Sequence, residues 1–241
     1  MRREPRVAEV KVGIIGAMDS EVALLKSRVE GARVREVAGM EFVEGAISGV
    51  PVVVVKCGVG KVNAAICAQT VTSQLGATHV INTGVAGSLD ARIEIGDVVV
   101  STDAVEHDMD VTPLGYAPGE HPDLRLVAFE ADTRLREAIA AAAAEAASDV
   151  CVFQGRVCSG DQFIGSAAAK ARIVEAFGGM CCEMEGASIA HACYLAKVPF
   201  VVVRAISDKA DDSGSVNYAE FEKAAAVHCS AIVLAALPRI A

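Results

Sequence analysis

The sequence predicts an α/β fold in which helices cover a buried sheet. Three observations carry this. Apolar β-branched runs alternate with helix-period patterns along the chain. Several runs, among them KVGIIGAM and VPFVVVRAIS, are continuous rather than alternating, as strands covered on both faces are. Glycines and acids gather just after these runs, where open α/β sheets place their ligands.

Taken in order, strands are expected at 12–17, 42–47, 52–57, 79–82, 97–104, 150–157, 180–183 and 200–206. Helices are expected at 21–29, 62–75, 133–147, 167–177, 186–196 and 218–237. Asp19 suits the N-cap of the first helix, and Glu21 its first turn, where the helix dipole favours an acid. Gly76 suits the end of the second helix. Ser166 suits the N-cap of the fourth, and Gly178 its C′ stop. The stretch 107–128 holds Pro113, Pro118 and Pro122 without a regular pattern, and reads as a functional loop. No repeat or linker divides the chain. One domain over 1–241 is expected, with residues 1–10 as a loose extension.

Composition narrows the function. Of 241 residues 53% are hydrophobic, and the mean hydropathy is +0.40, which excludes a disordered chain. No apolar run approaches the ~18 residues of a membrane span. The start, MRREPRVAEV, lacks the apolar segment of a secretion signal, so a cytoplasmic protein is expected. A net charge of −9 argues against a nucleic-acid partner. The eight cysteines show no CxxC spacing and read as reduced, buried thiols. In CCEMEGASIAHAC (181–193), His191 lies six residues beyond Glu185 and on another helical face. No metal or other cofactor is therefore expected.

The strand ends carry the chemistry. They read GAMDSE, NTGVAGS, CSGDQFI, EMEG and RAISD. Gly13 and Gly16 are half of a dinucleotide fingerprint and a weak signal. Gly84 and Gly87 read as turn residues, and Glu183 and Glu185 can each be a solvated loop acid. Yet Glu185 follows a buried-looking strand and opens an apolar helix, and Asp208 follows another such strand. An unpaired acid there is costly. Carboxylates at Glu21, Glu185 and Asp208, with Arg204 and the aromatic Phe163, suit hydrolysis of an N-glycoside. One carboxyl protonates the leaving base, one ionised carboxylate takes a proton from water, and a third grips sugar hydroxyls.

The motifs VGIIGAMDSEV, GVGKVNAA, INTGVAG, HDMDVTPLGY, SGDQFI, EMEGASIAHAC and VPFVVVRAISDKAD resemble, in order and spacing, the bacterial 5′-methylthioadenosine/S-adenosylhomocysteine nucleosidases. The resemblance spans residues 11–237. It implies a three-layer α/β/α sandwich with a mixed central sheet, as found across the nucleoside phosphorylases, and a homodimer. It also implies roles. Asp208 resembles the acid at adenine N7, Glu21 the base that activates water, and Arg204 the residue that places that water and the acids. Glu185 resembles the ribose-binding acid, with Met184 packed on the sugar. Phe163 resembles the purine-stacking aromatic, with the Ile164 backbone at the adenine edge. Met18 and Tyr218 match positions around the 5′ substituent. Leu114 and Tyr116 match a segment that reaches the partner's site. Three positions depart from the pattern. Val85 stands where a serine commonly supports the catalytic aspartate, which leaves Ser207, backbone amides or water to orient Asp208. Gly186 replaces a common alanine and reads as neutral. Leu114 replaces a common aromatic.

Two other readings compete. A purine nucleoside phosphorylase needs cationic groups for phosphate, whereas GAMDSE offers Asp19 and Glu21 with no arginine before Arg28. A non-catalytic nucleoside-binding protein would not need Glu21, Glu185, Arg204 and Asp208 together.

Overall fold

The computed structural model describes residues 10–146 and 150–240. The extension expected at 1–10 therefore lies, Val10 apart, outside the described residues. So does the expected helix end at 147.

The strands are β1 (Val12–Gly16), β2 (Glu30–Val37), β3 (Met40–Ile47), β4 (Val50–Lys56), β5 (His79–Ser88), β6 (Val98–Glu106), β7 (Ala128–Glu130), β8 (Val152–Ser159), β9 (Cys181–Glu183) and β10 (Phe200–Asp208). The helices are α1 (Asp19–Ser27), α2 (Lys61–Gln69), α3 (Thr133–Ala146), α4 (Ala167–Phe177), α5 (Gly186–Ala196) and α6 (Gly214–Ile240). One mixed sheet runs β10-β6-β8-β9-β5-β1-β4-β3-β2, with β7 on β6. Because β10 also pairs with β5 in parallel, one half of the sheet closes on itself.

Strand periodicity explains why the apolar runs are unbroken. Val12 and Ile14 of β1, Val52 and Val54 of β4, and Val201 and Val203 of β10 face a core shared with α1, α3 and α6. Their neighbours Ile15, Val53, Val55 and Val202 face a second core with α2 and α5. Successive side chains point to opposite faces, so a strand covered twice is apolar at every position. The expected three-layer arrangement with a mixed sheet is what forms.

Ser166 caps α4 as expected, accepting a hydrogen bond from the Ala169 amide at 3.3 Å. Gly178 closes the same helix at φ 64°. Other expectations need correction. Met18, not Asp19, is the N-cap of α1; Asp19 is exposed and pairs with Lys56 at 2.8 Å. The second helix stops at Gln69 and continues as a π turn over Thr70–Gln74. There the Thr70, Thr72 and Ser73 hydroxyls donate to carbonyls one turn back and loosen the ladder. β2 escapes the hydrophobic pattern because EGARVREV is exposed at seven of its eight positions and has no buried face to announce it. β5 runs to Ser88, so Gly84 and Gly87 lie within a strand and do not turn the chain. α6 starts four residues early. It is long and apolar enough, by length and composition, to cross a membrane, yet Ala225, Cys229, Ile232, Val233 and Ala236 bury one of its faces against the sheet.

Candidate active site

A cleft opens at the carboxyl ends of β1, β5, β9 and β10. Met18, Glu21, Val85, Phe163, Met184, Glu185, Ser207, Asp208 and Tyr218 line it, together with Glu183 and Cys182. The sequence placed the first nine of these there. The lining carries four carboxylates and, among the described residues, no lysine, arginine or histidine.

Glu21 sits at the third position of α1 and is 4% exposed. Its carboxylate accepts backbone amides from Ala17 at 2.6 Å, Met18 at 2.9 Å and Val85 at 3.0 Å. Burial pushes its pKa up, against the pull of the Arg204 charge and these amides. Gly84 makes this placement possible, since a Cβ there would overlap Glu21 Oε1. Gly87 does the same for the second acid, because a Cβ there would lie 2.6 Å from Asp208 Oδ1.

Asp208 ends β10. Its Oδ1 accepts the Ala210 amide at 2.8 Å and its Oδ2 the Ser207 hydroxyl at 3.0 Å. Valine at 85 is thus answered by two of the three supports expected, Ser207 and a backbone amide. Burial raises the pKa of Asp208 and favours its protonated form.

Glu185 is the N-cap of α5, and its Oε1 accepts the Gly60 amide at 2.8 Å. Burial raises its pKa, and the adjacent Glu183 charge raises it further. Neither acid is a solvated loop residue, since Glu183 is 9% and Glu185 6% exposed.

Glu183 is the residue that sequence reasoning missed. Its carboxylate accepts the Ser159 hydroxyl and an Arg204 guanidinium N–H in short hydrogen bonds, and the Gly186 amide at 2.8 and 3.0 Å. A Cβ on Gly186 would stand 3.0 Å from Glu183 Oε1, a close contact that the carboxylate would have to accommodate by a small shift. The signal was present in the sequence: an acid inside the buried strand CCE needs partners.

Arg204 does not line the cleft. It lies behind the wall, 2% exposed, bonded to Glu183 and to Asn82 Oδ1 at 2.5 Å. Its charge still lowers the pKa of Glu21 and Glu185.

Phe163 is 51% exposed at the cleft mouth and meets the Tyr218 ring edge-on at 5.7 Å. The Tyr218 hydroxyl donates to Met18 Sδ at 3.1 Å, joining both residues expected at the 5′ end. Ile164 lies beside the cleft with Phe163 and Asp208, in a small adjoining recess. Leu114 and Tyr116 are not brought to it within one chain. Leu114 is 75% exposed on the turn Thr112–Leu114, and Tyr116 lies under the Arg125 guanidinium at 4.7 Å.

A model of the phosphorylase superfamily matches residues 11–238. A 5′-methylthioadenosine/S-adenosylhomocysteine nucleosidase of Exiguobacterium is 41% identical over 232 residues, 96% of this chain and 99% of that protein. The nucleosidase of Colwellia psychrerythraea, solved with adenine, is 37% identical with a TM-score of 0.92, covering 96% of each chain. That of Neisseria meningitidis, solved with methylthio-immucillin-A, is 37% identical with a TM-score of 0.90, covering 94% of this chain and 97% of that one.

The raised pKa of Glu185 predicts how the free protein responds to pH. A carboxyl whose folded pKa exceeds its unfolded value stabilises the fold below the unfolded value, near 4.5, and loses that contribution as pH rises through the folded pKa. Glu185→Gln should therefore gain stability over the parent as pH increases above 4.5. Urea denaturation at pH 5 and pH 8 measures this, and a difference constant with pH would contradict it.

Proposed function

The chain belongs to the phosphorylase superfamily and, within it, to the 5′-methylthioadenosine/S-adenosylhomocysteine nucleosidases, and on that premise we propose how its cleft works. The reaction is hydrolysis of the N-glycosidic bond of 5′-methylthioadenosine and S-adenosylhomocysteine. The products are adenine and the 5-substituted ribose. The observation that carries the reading is the amide-held Glu21 facing a cleft that carries, among the described residues, four carboxylates and no cationic side chain.

Asp208, whose burial favours its protonated form, gives a proton to adenine N7 as the C1′–N9 bond breaks. Glu185 accepts hydrogen bonds from the ribose hydroxyls and steadies positive charge developing on the sugar. Water adds to C1′ and passes a proton to Glu21. Met184 packs on the sugar, Phe163 and the Ile164 backbone hold the purine, and Met18 with Tyr218 receives the 5′ group. Phosphate is a poor nucleophile in this cleft. At ~4 Å and an effective dielectric near 20, each like-charge pair costs about 4 kcal/mol.

The chain is proposed to act as a homodimer in methionine salvage. Val62 and Ile66 on α2, Tyr194 and Leu195 on α5, and Leu114 are exposed apolar side chains that such an interface would cover. Leu114 and Tyr116 would then reach the partner's cleft. Eight unpaired thiols suit a reducing cytoplasm.

Light scattering should give twice the chain mass; a monomer at micromolar concentration would remove the assigned role of Leu114 and Tyr116. Asp208→Asn should lower kcat by ~10²–10⁴-fold with the fold intact. Adenine release by the parent should be equal in phosphate and phosphate-free buffer and leave free methylthioribose. Formation of a ribose 1-phosphate would reverse the choice of reaction, and near-normal turnover by Asp208→Asn would remove it as the acid.

A further inference from the structure

Away from the cleft, three residues far apart in sequence converge. Glu106 ends β6, His191 lies on α5, and His121 lies in the long connection between β6 and β7. One ligand-type atom from each lies within 4.8 Å of the other two. His191 Nδ1 is 3.2 Å and His121 Nε2 3.7 Å from the same oxygen, Glu106 Oε1. A tetrahedral ion with ligand bonds of ~2.0–2.1 Å spaces its ligand atoms about 3.3 Å apart. Both separations lie close to that edge, and the third, between the two rings, is within 4.8 Å.

The rings are already held. Phe129 stacks on His191 with centroids 4.6 Å apart and planes at 17°, and His121 meets His191 edge-on at 4.6 Å. The His121 carbonyl accepts the Arg125 amide at 2.8 Å, and its own amide donates to Leu126 O at 2.9 Å, which closes the turn beneath it. His121 is 9% exposed, yet its Nε2 has no hydrogen-bond partner. A buried polar atom aimed at a carboxylate and left unpaired calls for an explanation.

We propose that Glu106, His121 and His191 bind a divalent cation of the zinc type. Two imidazoles and a carboxylate are a donor set suited to such an ion, with water in the fourth position. The charges permit it. Lys61 Nζ lies 3.1 Å from Glu106 Oε2 and 2.7 Å from Asp108 Oδ1, so one ammonium stands between two carboxylates and one negative charge is left over. Lys61 occupies Oε2, which leaves Oε1 to the ion, and Asp108 keeps Lys61 in place. None of the three ligands lines the cleft, so the ion is a clamp and not a catalyst. It fastens the connection that carries Leu114 and Tyr116 to α5. The absence of a metal expected from the spacing in 181–193 does not bear on this, because two of the three ligands lie outside that stretch.

The test is equilibrium dialysis of the chelator-stripped full chain against Zn²⁺, with Co²⁺ as a spectroscopic probe. One equivalent per chain should bind. Glu106→Gln and His191→Asn should each weaken binding at least tenfold. Zn²⁺ should raise the Tm of the parent and not of these variants. The cobalt spectrum should be that of a tetrahedral nitrogen and oxygen site. Uptake below one equivalent, uptake unchanged in both variants, or a thiolate-to-cobalt charge-transfer band marking a cysteine site would each overturn the proposal.

Discussion

The buried ion pair between Arg204 and Glu183 is the constraint on which the site depends. Four carboxylates crowd one cleft, and alone they would repel one another in a setting where water screens little. Arg204 supplies the compensating charge from behind the wall, where it does not line the cleft. Removing either partner strands a charge at the bottom of the sheet, a defect of roughly 3–5 kcal/mol. Asn82 accepts a further hydrogen bond from Arg204, and the Ser159 hydroxyl donates one to Glu183.

The sheet is built around this requirement. β10 delivers Arg204 and Asp208 from one strand, the first bonded behind the wall and the second facing the cleft. β5 runs alongside it and pairs Arg204 with Gly84 and Asp208 with Gly87, positions where a Cβ would overlap Glu21 and Asp208 respectively. β9 brings Glu183 to Arg204, and the turn into α5 follows with Glu185 as its cap. The pKa of Glu21, Glu185 and Asp208 is raised because the acids are buried, and they are buried because the strands that carry them are covered on both faces. The same packing that stabilises the fold thus tunes the acids, at a cost in stability when they ionise.

Much of this was legible in the sequence. Continuous apolar runs marked the doubly covered strands, and acids at their ends marked the cleft, so Glu21, Glu185 and Asp208 could be named without coordinates. Three kinds of feature were not legible. β2 has no buried face, and hydrophobic pattern is silent about such a strand. The glycines at 84 and 87 read as turns because their purpose lies in the side chains of Glu21 and Asp208, distant in sequence. The Glu106–His121–His191 cluster depends on pairings between elements, and local spacing carries no trace of it; for Glu183 the buried strand CCE signalled that the acid needs partners but not which ones. Leu114 and Tyr116 were named from resemblance alone, and a single chain leaves them outside the cleft.

The measurement that tests the central claim most directly is a double-mutant cycle on Glu183→Gln and Arg204→Met, read in both unfolding free energy and kcat/KM for methylthioadenosine. If the two side chains act as one unit, each single change is severe in both readouts and the double change costs much less than their sum. Additive losses would mean that Arg204 and Glu183 serve the site independently, and would contradict the dependence of the cleft on their pairing.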